Sequence, residues 1–215
     1  NEFVLILLNL QSISLLNFKY KSELRQMILV EPTSPYTEDP QIFRQNLLAT
    51  LNNLRNNIPY NVFIDTSGHE THKKAVEELR DLFINQVRDP ERMAAVLKVI
   101  SDTKDTEPEH EKELINVIPI LADVFEEKLV EFLPKILSIL SQRIREDDPQ
   151  LNSACAEAIG AMVSLSLKGL PTRNLTEKLV GIFNTFLKLL PTSGKYSQIG
   201  AVMCITKIAQ TSPVQ

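Results

Sequence analysis

The amino-acid sequence predicts an all-α chain in which helical hairpins stack side by side as an α-α superhelix. Three observations carry that prediction. Apolar residues recur at three- and four-residue spacing almost throughout, and period-two alternation is nearly absent. Only 6 of 215 residues are Gly, too few for a turn-rich β fold, while 43% hydrophobic content suffices for one continuous core. Three Asp-Pro pairs, Asp39-Pro40, Asp89-Pro90 and Asp148-Pro149, each put a capping carboxylate before a first-turn proline. At that position the missing N–H costs nothing and φ is already helical.

The elements follow in chain order. Residues 1–18 (NEFVLILLNLQSISLLNF) read as a buried helix, with Leu5, Leu8, Ser12, Leu15, Leu16 and Lys19 at helical spacing. The stretch lacks the basic start and small-residue cleavage site of a signal peptide. Asn9, Gln11, Ser12, Ser14 and Asn17 interrupt it short of the ~20 apolar residues that a bilayer core requires. With no initiator Met, the chain is expected to be a piece of a longer protein. Residues 31–39 (EPTSPYTED) and 58–68 (IPYNVFIDTSG) lack helical period and read as loops bracketing a helix at 40–57. Residues 1–69 are therefore expected to form N-terminal helices and loops, ahead of a repeat domain at 70–215.

From residue 70 the helices pair: 70–87 with 91–101, 109–126 with 129–145, and 149–167 with 173–190, before a last helix at 195–210. These make about three and a half hairpins. Their starts, at 70, 109, 149 and 195, lie 39, 40 and 46 residues apart. That period matches HEAT or armadillo repeats, whose hairpins cannot bury an apolar face alone and must stack on their neighbours. Turns within pairs are short, at 88–90, 127–128 and 168–172; between pairs they are longer and polar, as at 101–108 (SDTKDTEP). The last helix has no partner helix, so it is expected to expose apolar surface that further repeats or a binding partner would cover.

Residues 148–163 (DPQLNSACAEAIGAMV) resemble the first helix of a HEAT repeat, with an Asp-Pro start followed by Ser153, Ala154, Ala156, Ala158, Gly160 and Ala161. Small side chains on one helix face permit close helix approach. Residues 129–210 further resemble the TOG-like repeats of the Tortifolia group of microtubule-associated proteins. The likeness lies in LVEFLPKILSILSQRIREDDPQLNSACAEAIGAMV followed by SQIGAVMCITKIAQ. It implies tubulin contact through the turns inside each hairpin, aligned along one edge of the stack. Those turns hold Arg88, Arg92, Lys128, Lys168 and Arg173. One departure stands out: many TOG domains carry a large aromatic in the first such turn, whereas residues 86–92 (QVRDPER) have none. This favours lattice association, or a fixed place in a stable microtubule array such as an axoneme, over capture of free tubulin.

Charge and motifs narrow the functions. A net charge of -4 argues against a general grip on nucleic acid or an anionic membrane, although a local basic row can still meet an acidic partner. Cys155 and Cys204 lie far apart in apolar stretches and read as free buried thiols, without zinc or redox spacing. His69 and His72 form a His-x-x-His pair at a helix start with no evident third ligand, and residues 107–113 (EPEHEKE) complement a helix dipole. Residues 192–195 (TSGK) lack the first glycine of a phosphate loop. No cofactor or catalytic constellation emerges. The sequence thus reads as a non-enzymatic, microtubule-associated binding or structural module of the cytoplasmic cytoskeleton, with the cilium or axoneme as one setting. It would bind tubulin or other cytoskeletal proteins within a larger assembly. The alternative is a general HEAT/armadillo scaffold for a peptide, kinase, phosphatase or transport partner.

Overall fold

The computed structural model describes residues 36–37, 39–59, 66–104, 107–191 and 193–212, and every regular element among them is helical. The opening apolar stretch, residues 1–18, lies outside the described residues, as do residues 60–65 of the second expected loop. In chain order the helices are α1 (Pro40–Asn56), α2 (Thr66–Gln86), α3 (Pro90–Asp102), α4 (Pro108–Phe125), α5 (Leu133–Arg145), α6 (Pro149–Ala161), α7 (Thr172–Leu187) and α8 (Lys195–Thr211). A 3₁₀ segment, Glu126–Phe132, joins α4 to α5, and a π turn, Met162–Ser166, extends α6.

The three Asp-Pro starts are capped as the sequence demands. Asp39, Asp89 and Asp148 accept the backbone N–H of Gln41, Arg92 and Gln150, each at 2.8 Å, which satisfies donors that a helix start otherwise leaves orphaned. Other boundaries move for identifiable reasons. The helix expected from 129 begins at Leu133, because Pro134 has no N–H and its ring would clash with the carbonyl four residues earlier. Glu126, at φ 48°, ends α4 in the left-handed region, and the seven residues between wind as 3₁₀ instead. The helix expected at 149–167 is α-helical only to Ala161, and its π turn buries Met162, Val163 and Ser166.

Helices α2, α4, α6 and α8 pack in sequence to form one layer, and α1, α3, α5 and α7 form the other. The hairpins therefore stack as a helical-repeat solenoid. The core lies between the layers, where Phe43, Phe83, Leu97, Ile118, Leu140, Ile159 and Phe186 are almost wholly buried. α1 contributes Phe43, Leu47, Leu51 and Leu54 to that same core. At the far end, α8 leaves Tyr196, Ile199, Val202 and Met203 exposed.

One buried polar cluster ties the repeats together at the edge formed by the turns between hairpins. Arg143 of α5 is 2% exposed; it donates to Glu111 of α4 at 3.1 Å and to Glu146 at 3.1 Å. Its other terminal nitrogen donates to the carbonyls of Ile100 and Thr103, at 3.3 and 2.7 Å, where α3 ends. One side chain thus satisfies terminal carbonyls that helix geometry leaves open. Along the same edge Asp147 accepts from the Ser197 backbone N–H and hydroxyl, at 2.7 and 3.0 Å, and anchors the start of α8.

Candidate binding edge

On the opposite edge lie the three turns inside the hairpins, and here the structure sorts the basic residues picked from the sequence. Arg88, Lys128, Lys168 and Arg173 are exposed, whereas Arg92 is buried. Arg92 works inside the fold: it donates to the carbonyl of Gln86 at 3.0 Å and to its side-chain oxygen at 3.3 Å. It also donates to the Thr37 carbonyl and stacks on the rings of Tyr36 and Phe43, 4.4 and 5.1 Å from their centroids. With those partners it is a pivot between the α2–α3 turn and the chain preceding α1.

Arg88 stays at the surface. Its Nε donates to the Asn85 carbonyl at 3.0 Å, and its guanidinium lies 4.8 Å from the Tyr36 ring centroid. Tyr36, 40% exposed, thereby brings an aromatic to the first turn, which has none of its own. The Thr37 N–H donates to the Gln86 side chain at 3.0 Å and holds it there. Sequence reasoning missed this residue, because the pairing joins positions about fifty apart; the one local signal was an aromatic inside a Pro/Ser/Thr-rich loop.

The edge is mixed in charge. Lys128 sits among the exposed Glu126, Glu127 and Glu131, whereas Lys168 and Arg173 have no acidic residue in their own turn. The second and third turns adjoin: a Cβ at Gly169 would fall 1.5 Å from a Glu127 carboxylate oxygen, so a side chain there would displace the Glu127 carboxylate. The α6–α7 turn carries two cations, Lys168 and Arg173, with the Glu127 carboxylate beside it, and Arg88 and Tyr36 form a cation–aromatic pair at the other end of the edge.

Other candidate chemistry resolves into structural contacts. His72 Nε2 lies 3.2 Å from Glu113 and His110 Nε2 lies 3.5 Å from Glu107. Among the described residues no group of three or more His, Cys, Asp or Glu is placed to hold a metal ion, and no helix is long and apolar enough to cross a membrane. Cys155 and Cys204 are free and buried. Burial pushes the Cys204 thiol up to about 12, and burial, then the neighbouring Cys204, pushes Cys155 well above its ordinary value.

Comparison with known proteins adds an independent line. A family model described as TORTIFOLIA1 N-terminal matches residues 53–215, from the last turn of α1 onward. Among curated proteins, the Microtubule-associated protein TORTIFOLIA1 of Arabidopsis thaliana is 25% identical over 151 residues, covering 68% of this chain and 17% of that protein. TORTIFOLIA1-like protein 1, from the same plant, is 24% identical over 148 residues, covering 66% and 18%. The chain spans less than a fifth of the length of these relatives.

Proposed function

This chain belongs to the TORTIFOLIA1 N-terminal family, and from that membership we propose that it is a microtubule-associated binding module of the cytoskeleton, not an enzyme. One relative is named as a microtubule-associated protein. The observation that carries the reading to a surface is the edge of intra-hairpin turns. There Arg88, Lys128, Lys168 and Arg173 are exposed, and none is in a described ion pair. Unpaired cations at a rim act mainly on encounter rate and on the choice of an acidic partner. Arg92, satisfied inside the fold, supports the edge without facing the partner.

Tyr36 sharpens the proposal. An exposed aromatic held against Arg88 offers an apolar contact at the first turn, and such anchors carry a large share of interface energy. The acidic residues around Lys128 make the middle of the edge the weakest part, so contact concentrates at its two ends.

Microtubule co-sedimentation tests the edge. The variant Arg88→Glu/Lys128→Glu/Lys168→Glu/Arg173→Glu should lose most pelleting, and pelleting of the unaltered chain should weaken steeply with salt. Equal pelleting of the two proteins would remove this edge from the interface.

A further inference from the structure

We propose that the outer face of the α1–α3–α5–α7 layer is a second docking surface, built for an acidic peptide segment with spaced aliphatic side chains. Between α5 and α7 runs a groove of about 480 Å³, with Leu133, Leu137 and Ile182 among its lining and Gly181 in its wall. A Cβ at Gly181 would meet nothing within 4 Å, so the absence of a side chain there keeps the groove open. Ser141 also lines it, 8% exposed, and its hydroxyl has no hydrogen-bond partner.

A second groove, of about 290 Å³, lies between α1 and α3; Phe43, Leu47, Leu48 and Val99 line it, with Arg44 and Lys98 at its rim. Helices pack about 8–10 Å apart, so two helix spacings separate the grooves by roughly 20 Å. An extended chain covers that distance in about six residues, at ~3.3 Å each. A segment crossing the helices can therefore seat one aliphatic side chain in each groove.

Charge selects the segment. Arg44, Lys98, Lys135 and Lys178 are exposed, one on each helix of this layer, and none is in a described ion pair. Asp102 and Glu177 are the acidic residues at the groove rims. The helices of the other layer hold more Asp and Glu than Lys and Arg, and Arg80 pairs there with Asp123 and Lys207 with Glu157 at 2.6 Å, whereas the helices of this layer hold more Lys and Arg than Asp and Glu. A chain of net charge -4 thus gathers an excess of cations on the layer that carries its open apolar grooves. An acidic, aliphatic ligand complements both features.

The probe is a fluorescein-labelled nonapeptide repeating the pattern acidic–acidic–leucine, with one control replacing Asp and Glu by Asn and Gln and another replacing Leu by Ser. Fluorescence anisotropy should show the 215-residue chain binding the first peptide at least tenfold more tightly than either control, with affinity falling as salt rises. Lys178→Glu should weaken binding at least fivefold. Gly181→Leu, which fills the groove and leaves every charge in place, should do the same while keeping the melting temperature at or above that of the unaltered chain. Microtubule pelleting of both variants should remain intact, which separates this surface from the edge. Absence of binding, equal binding of the three peptides, or full binding by folded Gly181→Leu would overturn the proposal. Loss of pelleting in Gly181→Leu would overturn the separateness of the two surfaces.

Discussion

The two layers of the solenoid are built from helices of similar length, yet they cohere by different physics. In the α2–α4–α6–α8 layer, α6 and α8 approach so closely that a Cβ at Gly160 would sit 2.6 Å from Lys207, and one at Gly200 would sit 2.2 Å from Asn152. Side chains then bridge neighbours, as in the Arg80–Asp123 and Glu157–Lys207 pairs. In the α1–α3–α5–α7 layer, Gly181 faces open space, grooves separate α1 from α3 and α5 from α7, and Arg44, Lys98, Lys135 and Lys178 are exposed. Close packing lets one layer support the stack, and its absence leaves the other free to offer surface. The open layer is held by the core it shares with the other layer and, at the edge between hairpins, by Arg143.

That dependence gives the largest expected effect. Arg143→Met removes the guanidinium from Glu111, with a side chain 9% exposed, and from Glu146, and also frees the carbonyls of Ile100 and Thr103. Breaking one partner of a buried pair typically costs about 3–5 kcal/mol. Urea unfolding should show a loss of that size, with part of it recovered in Arg143→Met/Glu111→Leu, where the buried carboxylate is gone as well. A loss below about 1 kcal/mol would mean that α3 and α5 are held together by packing after all.

This tie also marks where sequence reading stopped. The Asp-Pro caps were legible because each is a contact within three residues, and so was the helical period, which needs only local spacing. The alternation of layers followed from the hairpin period. Arg143 was not singled out, although it interrupts the buried stripe of Ile136, Leu140 and Ile144 at a helical interval, which is the signature of an inward-facing charge. Its partners Ile100, Thr103 and Glu111 lie 43, 40 and 32 residues away. At the candidate edge, the exposure of Arg88, Lys128, Lys168 and Arg173 is what a turn position implies. The burial of Arg92 depends on Tyr36 and Phe43, which no local pattern places beside it.

Glycine substitutions measure the contrast between layers directly. Gly200→Ala drives a methyl into the Asn152 side chain, itself 2% exposed and bonded to the Tyr196 carbonyl at 2.9 Å. Overpacking of this kind costs about 1–3 kcal/mol. Gly181→Ala meets no atom and replaces the residue with the larger backbone entropy by the best helix former, so it should stabilise by about 0.5–1 kcal/mol. Opposite signs in parallel thermal melts would establish the asymmetry; matching signs would erase it.

The last effect concerns the thiols, both of which belong to the close-packed layer. Cys155 and Cys204 are held protonated by burial, with the Cys204 thiol at about 12. In the unfolded chain a thiol ionises near 8.5, so as pH rises past that value the unfolded state releases protons that the folded state retains. The sign follows: the stabilisation is fully present below the unfolded value and declines as pH climbs from about 8.5 toward 12. For Cys204 the loss at pH 9 is roughly 1 kcal/mol. Melting temperature should therefore fall between pH 8 and 9.5, and it should fall less in Cys155→Ala/Cys204→Ala, even though that variant starts from a lower value for want of two buried sulfur atoms. Reaction with a thiol reagent at pH 8 should likewise proceed only at the rate at which α6 and α8 part, and urea should accelerate it. An unchanged alkaline slope in the double variant, or immediate labelling of the folded chain, would show that the two helices are not packed closely enough to exclude water from between them.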